Sequence, residues 1–312
     1  MAGTAGPARR GSCRRLEGET ARQCSPTPNT LLFDCRTASL WRGDTARQRR
    51  ARRAGPAGGG GQAAGATLDQ QQRANARGLH TEKLRRPRLP PAEPRHIFPV
   101  GLTAPRYLRQ ALPPGAAAYV RRAPRSPLVR GSLEAVGIPQ PWAAGPPPLP
   151  TPPVATAVLV GFDEHFSYAK LCQALRYLLQ NPDCLLVGTN RDHRLPLEGG
   201  AAIPGTGCLV KAVETAAQRE AFIVGKPNRF MFDCVASEFQ VDPARTIMVG
   251  DRLDTDILMG NSCGLTTLLT LTGVTALDEV QAHLDSDCPA RHSLVPDYYV
   301  DSIADLLPAL GE

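Results

Sequence analysis

Thr246-Ile-Met-Val-Gly-Asp-Arg-Leu-Asp-Thr-Asp256 is the stretch on which the fold turns. A partly β-branched apolar run leads into Gly250, and acids follow at positions 251, 254 and 256. A short continuous apolar run of this kind is the pattern of a strand covered on both faces, as in a parallel sheet. A hard cation such as Mg²⁺ takes oxygen ligands on a rigid support, and a strand end opening into a loop supplies one at Asp251. Asp254 and Asp256 stand close enough to orient that loop or to hydrogen-bond metal-bound water. The alternative is an acidic strand–helix turn in which Asp254 or Asp256 is only a helix cap.

Working outward, Phe222-Ile-Val-Gly-Lys-Pro227 sets a lone lysine behind a short apolar strand and a glycine, with proline starting the next helix. A lysine held at a strand end can neutralise phosphate charge during transfer; a solvated surface lysine is the plainer reading of Lys226 alone. Around these two segments the periodicity alternates. Strands are expected at 157–162, 184–187, 246–249, 266–271 and 298–300. Helices are expected from Tyr168 through Leu178, over 207–217, 230–239 and 254–263, and from Ser302, a good amino-terminal cap. This order predicts a doubly wound, Rossmann-like parallel α/β sheet with its site at the carboxyl ends of the strands.

The amino-terminal half has a different chemistry. Residues 1–150 hold 25 basic and 8 acidic residues, a net of +17, whereas the remainder holds 11 and 21, a net of −10. All but one of those 25 are arginine, and 20 of the 30 prolines fall there too. Ordered structure is not expected between 44 and 72 or between 87 and 153, where the second stretch ends in an extended polyproline run. The basic run 47–53 before Gly58–Gly61 could serve a polyanion, but no aromatics interleave to stack on bases, so a nucleic-acid partner is not expected. No run of about 18 apolar residues occurs, so no membrane-spanning helix is expected. The start resembles a mitochondrial presequence only weakly, since Glu17 and Glu19 interrupt it. Nine unclustered cysteines read as free thiols in a reducing compartment, hence a cytoplasmic protein, and not as a zinc site.

The lysine–proline and glycine–aspartate segments, 23 residues apart, together resemble the third and fourth motifs of the haloacid dehalogenase superfamily. The text around them resembles its vertebrate glycerol-3-phosphate/phosphoglycolate phosphatase branch: VGFDEHFSY (160–168), ALRYL (174–178), LLVGTN (185–190), GTGCLVKAVE (205–214), VGDRLDTDI (249–257) and VDSIADLLPAL (300–310). The amino half matches in islands, at 30–35, 40–43, 82–86, 107–110 and 133–137. The resemblance implies a haloacid dehalogenase core, 29–87 with 222–312, an inserted α/β cap over 88–221 that is loose and proline-rich to 153, and a disordered arginine-rich arm over 1–28. It implies an Mg²⁺-dependent phosphatase of small monoesters such as glycerol 3-phosphate or 2-phosphoglycolate, with dimerisation through the cap. Asp34 matches the nucleophile, which attacks phosphorus to form an aspartyl-phosphate that water hydrolyses. Lys226 would stabilise the phosphoryl group. Asp34, Asp251 and the backbone carbonyl of Arg36 would hold Mg²⁺, with Asp256 supporting. In the cap, Asn190, Arg191 and Asp192 are candidates for meeting substrate; Arg191 and His193 could face a carboxylate or hydroxyl, or be solvated loop residues.

Two departures bear on activity. The family has an aspartate and then a glycine directly after Cys35, where this chain has Arg36 and Thr37. That aspartate is the family's general acid and base, a role arginine, always protonated, cannot take. The family's phosphate-binding threonine–asparagine motif falls near Gln70–Gln72, with no strand-like run before it; Thr67 is the nearest hydroxyl. Three readings stay open: an impaired phosphatase, a non-catalytic binding or interaction protein on a retained fold, or a sequence or gene-model error in the amino half of an active phosphatase.

Overall fold

The computed structural model describes residues 13–15, 30–34, 64–69, 97–121, 133, 138, 155–196 and 201–306. Along the chain, β1 (Arg14–Arg15), β2 (Thr30–Asp34), β3 (Ala64–Asp69) and β4 (Ile97–Pro99) come first. Helix α1 (Val100–Ala111), β5 (Ala118–Arg121), β6 (Ala157–Val160), α2 (Tyr168–Gln180) and β7 (Leu185–Gly188) follow. Then come the pair β8 (Arg194–Pro196) and β9 (Ala202–Pro204), α3 (Thr206–Ala217), β10 (Phe222–Ile223) and α4 (Arg229–Phe239). The last elements are β11 (Thr246–Gly250), α5 (Leu258–Cys263), β12 (Thr266–Thr270), α6 (Leu277–Leu284), α7 (Pro289–His292) and β13 (Tyr298–Val300). They form two compact units, which among the described residues are 13–15, 30–34, 64–69, 97–98 and 232–306 in one, and 99–121, 133, 138, 155–196 and 201–231 in the other.

The first unit is built on a seven-stranded sheet in the order β1-β13-β12-β11-β2-β3-β4. The pairings from β1 through β3 are parallel. Strand β11, drawn from the deciding stretch, is central, and the next strand in the chain, β12, lies on one side with β2 on the other. Its apolar residues serve both faces as a doubly covered strand requires. Val249 packs with Leu268, Val300, Ile303 and Leu306, while Leu269 packs with Leu253, Ile257 and Val280.

The second unit has a parallel four-stranded sheet, β10-β7-β6-β5, and the antiparallel pair β8–β9. Alternation along β6 divides its core. Val158 and Val160 face Ala174, Tyr177 and Leu178 of α2 and Val210 and Val213 of α3. Ala157 and Leu159 face Val100, Ala104 and Leu108 of α1. Helix α2 starts at Ser167, whose side chain accepts from the Lys170 N–H, the cap its sequence provides. Two parallel α/β sheets with covering helices are the doubly wound core and α/β cap that the sequence implies.

The corrections concern the amino half. Strand β3 and elements β4, α1 and β5 lie in stretches where no ordered structure is expected from sequence. Ala64-Gly-Ala-Thr-Leu-Asp69 has too few β-branched residues to read as a strand, but it pairs with β2 over its length, from Thr30 opposite Ala64 to Asp34 opposite Leu68. Helix α1 carries Pro105 inside it, which masks the period-four apolar set Val100, Ala104 and Leu108. Arg14 and Arg15, in the segment expected to be a disordered arm, pair with Tyr298 and Tyr299 of β13, and Arg15 pairs with Asp301. The rest of the 1–28 arm, the basic run 47–53, Arg36, Gln70–Gln72 and the polyproline run lie outside the described residues. In the carboxy half, the expected helix over 254–263 is two elements, a π-helical turn Leu253–Ile257 and then α5. The helix expected from Ser302 is a single 3₁₀ turn, Ile303–Leu306.

Candidate active site

In the first unit, β11 delivers Asp251 to the carboxyl edge of the sheet, where it is 1% exposed. Parallel register places Phe33 opposite Val249, so Asp34 closes β2 beside Gly250, one residue before Asp251. Two of the sequence's candidate aspartates thus come from the carboxyl ends of adjacent central strands, where open α/β sheets hold their ligands. Thr67 sits opposite Phe33 on the next strand.

The turn after Asp251 is held by Asp256, also buried at 1%. Its Oδ2 accepts the backbone N–H groups of Asp251 and Arg252 at 3.3 and 3.2 Å. The wide turn makes this reach possible: the Ile257 N–H donates to the Arg252 carbonyl at 3.2 Å, five residues back, the π pattern that often marks functional sites. Gly250 is required at the crossing, because a Cβ there would stand 2.2 Å from the Asp256 Cβ. Asp254 points elsewhere, exposed and paired in two-pronged fashion with Arg252 at 3.0 and 2.7 Å. Asp256 is therefore the acid that shapes the loop and Asp254 an external brace.

Sequence reasoning passed over the residues that grip Asp251 from the far side. The Val274 N–H donates to Asp251 Oδ2 at 3.1 Å, and the Thr275 N–H donates to the Asp251 carbonyl at 3.2 Å. A Cβ on Gly273 would lie 2.2 Å from both the Cβ and Oδ2 of Asp251. A glycine just beyond a strand was the available signal. Also at this edge, Thr270 ends β12 fully buried, and its hydroxyl has no hydrogen-bond partner among the described residues.

In the second unit, Lys226 follows Gly225 after β10 and is 2% exposed. It is not the solvated lysine of the plainer reading. Gly225 is held against β7's exit, where a Cβ would come within 2.4 Å of the Thr189 carbonyl oxygen. Asn190, Arg191 and Asp192 occupy the loop after β7. The Thr189 hydroxyl donates to Asn190 Oδ1 at 2.8 Å, and Asn190 Nδ2 donates to Asp192 Oδ2 at 2.6 Å. Arg191 makes a two-pronged pair with buried Glu214 of α3, at 3.1 and 2.6 Å. Glu214 also accepts the Ala221 N–H at 2.8 Å. Burial pushes the Glu214 carboxyl up, but the bonds from Arg191 and Ala221 and the charges of Arg191 and Lys211 outweigh it and hold the group below its ordinary value.

Among the described residues, no three His, Cys, Asp or Glu side chains form a group that could hold a metal ion. That donor set suits Mg²⁺ better than zinc or calcium, because Mg²⁺ is commonly bound through one or two carboxylates, with water and phosphate oxygens completing its shell. No described helix is long and apolar enough to cross a membrane.

A parallel α/β core with an aspartate at the end of its central strand and a second α/β unit defines a class of hydrolase, and the sequence comparisons agree. The profile of the haloacid dehalogenase-like hydrolases matches residues 93–264, and a HAD-hydrolase-like profile matches 223–306. Glycerol-3-phosphate phosphatase of Gallus gallus is 65% identical over 311 residues, covering 96% of this chain and 97% of that protein. The Homo sapiens glycerol-3-phosphate phosphatase is 49% identical, with 96% of each chain covered. In fold, the chain matches a glycerol phosphate phosphatase from Mycobacterium tuberculosis solved in complex with magnesium, with a TM-score of 0.68, 22% identity, and coverage of 89% of this chain and 76% of that one. The chain belongs to the haloacid dehalogenase-like hydrolases, within their phosphatases.

Proposed function

We propose that this chain is built as an Mg²⁺-dependent phosphatase of small phosphate monoesters, glycerol 3-phosphate foremost, and that Arg36 impairs its turnover. The observation that carries the reading is the register of β2 against β11, which sets the Asp34 backbone beside the Gly250–Asp251 strand end. The substrate preference leans on the two glycerol-3-phosphate phosphatases it resembles.

In this reading an Asp34 carboxylate oxygen attacks phosphorus, the phosphorus–oxygen bond to the alcohol breaks, and water then releases phosphate from the aspartyl group. Lys226 neutralises the phosphoryl oxygens. Asp34, Asp251 and the Arg36 carbonyl would hold Mg²⁺, which supplies charge neutralisation at the transferring phosphoryl group. Asp256 keeps the Asp251–Arg252 backbone in place. The departing alkoxide needs a proton and the attacking water must lose one. The family's aspartate does both, and Arg36 does neither, a loss of about 10²–10⁴-fold. Asn190, Arg191 and Asp192 shape the cap loop that meets the substrate. The same substitution favours a second reading, a phosphatase-like binding protein that no longer turns over. We further propose a cytoplasmic location, from the free-thiol cysteine pattern.

The test is hydrolysis of glycerol 3-phosphate and 2-phosphoglycolate with MgCl₂ by the unmodified chain, Arg36→Asp and Asp34→Asn. Slow turnover that rises at least a hundredfold in Arg36→Asp and vanishes in Asp34→Asn is expected. Ordinary rates in the unmodified chain refute the impairment. Silence in Arg36→Asp refutes the phosphatase reading.

A further inference from the structure

We infer that the loop Leu271–Thr275 is a positioning clamp for Asp251, resting on the reading of Asp251 as a metal-facing carboxylate. Three independent contacts converge on one residue: the Val274 N–H on Oδ2 at 3.1 Å, the Thr275 N–H on the main-chain oxygen at 3.2 Å, and the bare face of Gly273. None requires a side chain from the loop. Val274 itself is 59% exposed, so its isopropyl group is not what the position is for.

The contacts divide the carboxylate's two tasks. A carboxylate oxygen that accepts a backbone N–H is fixed in rotamer and direction, as a ligand for a cation of strict geometry needs. The second bond ties the main chain, so Asp251 cannot swing by rotating its own peptide. From the opposite side Asp256 binds the Asp251 N–H, and Asp251 is held at its amide, its carbonyl and one carboxylate oxygen. The strand alone fixes where the Cα is; the loop fixes where the carboxylate is. Gly273 is the vulnerable element, since a Cβ 2.2 Å from Oδ2 forces either the loop or the carboxylate to move.

The experiment uses the full ¹⁵N-labelled chain, with residue-resolved amide hydrogen exchange without metal and calorimetric titration with MgCl₂. Gly273→Ala is expected to speed exchange at both Val274 and Thr275 at least tenfold and to weaken Mg²⁺ binding at least tenfold. Should Gly273→Ala fail to fold, Asp251→Ala decides on the exchange arm. It removes the carboxylate acceptor alone, so Val274 exchange should accelerate tenfold while Thr275, bonded to the main-chain oxygen, stays within twofold. Unchanged Val274 exchange in Asp251→Ala, or parental exchange and affinity in Gly273→Ala, overturns the clamp. If the unmodified chain takes up no Mg²⁺ while the exchange results hold, the clamp stands and the metal reading falls.

Discussion

Replacing Arg191 by methionine separates a residue that builds the cap loop from one that meets substrate. The substitution keeps length and apolar stem and removes both guanidinium bonds to Glu214, at 3.1 and 2.6 Å. Bonds to a charged partner contribute about 1.5–3 kcal/mol each, and leaving a buried carboxylate unpaired costs about 3–5 kcal/mol. The Arg191 side chain is 42% exposed, so water replaces part of the loss, while Ala221 keeps its bond to Glu214. About 2 kcal/mol is the expected cost after that discount. At about 3 °C per kcal/mol for a domain of this size, Tm falls by about 6 °C. Scanning calorimetry of Arg191→Met, Glu214→Gln and the double variant should return a coupling energy of about 1–2 kcal/mol. Calorimetric titration with glycerol 3-phosphate is the companion measurement. A Tm within 1 °C of the parent together with tenfold weaker ligand binding would refute the structural role and return Arg191 to the substrate.

The same pair gives a pH signature. The folded Glu214 carboxyl lies below its ordinary value, so its stabilisation is complete above about 4.5 and is lost as pH falls through the folded value; the Tm gap between parent and Arg191→Met should close in melts below pH 4. Thr270→Val keeps the shape of a fully buried side chain and removes a hydroxyl that has no hydrogen-bond partner among the described residues. A Tm rise of about 3 °C is expected from about 1 kcal/mol, and a fall would mean the hydroxyl is satisfied in solution. Burial pushes the Cys184 thiol up to about 11, with Arg219 opposing, which leaves roughly a hundredth of the thiolate an ordinary cysteine has at pH 8. Site-resolved mass spectrometry after iodoacetamide should show exposed Cys172, Cys208 and Cys288 modified well before Cys184.

What could be read in advance follows from where the information sits. β6, β7, β11 and β12 are continuous apolar runs because both faces of a parallel strand are covered, and such runs need no partner to be recognised. β3 is the opposite case: Ala64-Gly-Ala-Thr-Leu-Asp69 carries little intrinsic preference, and its strand character comes from pairing with β2. Asp251 was legible because a carboxylate at the end of a hydrophobic strand has a cost that implies a use. Its clamp was not, because Val274 and Thr275 act through main-chain N–H groups, which every residue except proline carries. Glu214 was missed for a related reason: a glutamate within an amphipathic helix looks solvated until its partner 23 residues away in sequence is known.

The π-helical turn between β11 and α5 also limits how the chain can change in length. Helix α5 presents Gly260 to the sheet, where a Cβ would come within 2.4 Å of Thr267 Cγ2 and 3.1 Å of Met248 Cβ. Removing one residue from Leu253–Ile257 would relax the wide turn to an ordinary one and rotate everything after it by about 100°. Asn261 or Met259 would then be driven toward the space that only a hydrogen occupies. The segment from Gly250 to Gly260 is therefore a spacer whose count is fixed at both ends, by an aspartate that must fold back on one side and a helix that must meet the sheet bare on the other. Point substitutions in it are tolerable in principle; single-residue deletions and insertions are not.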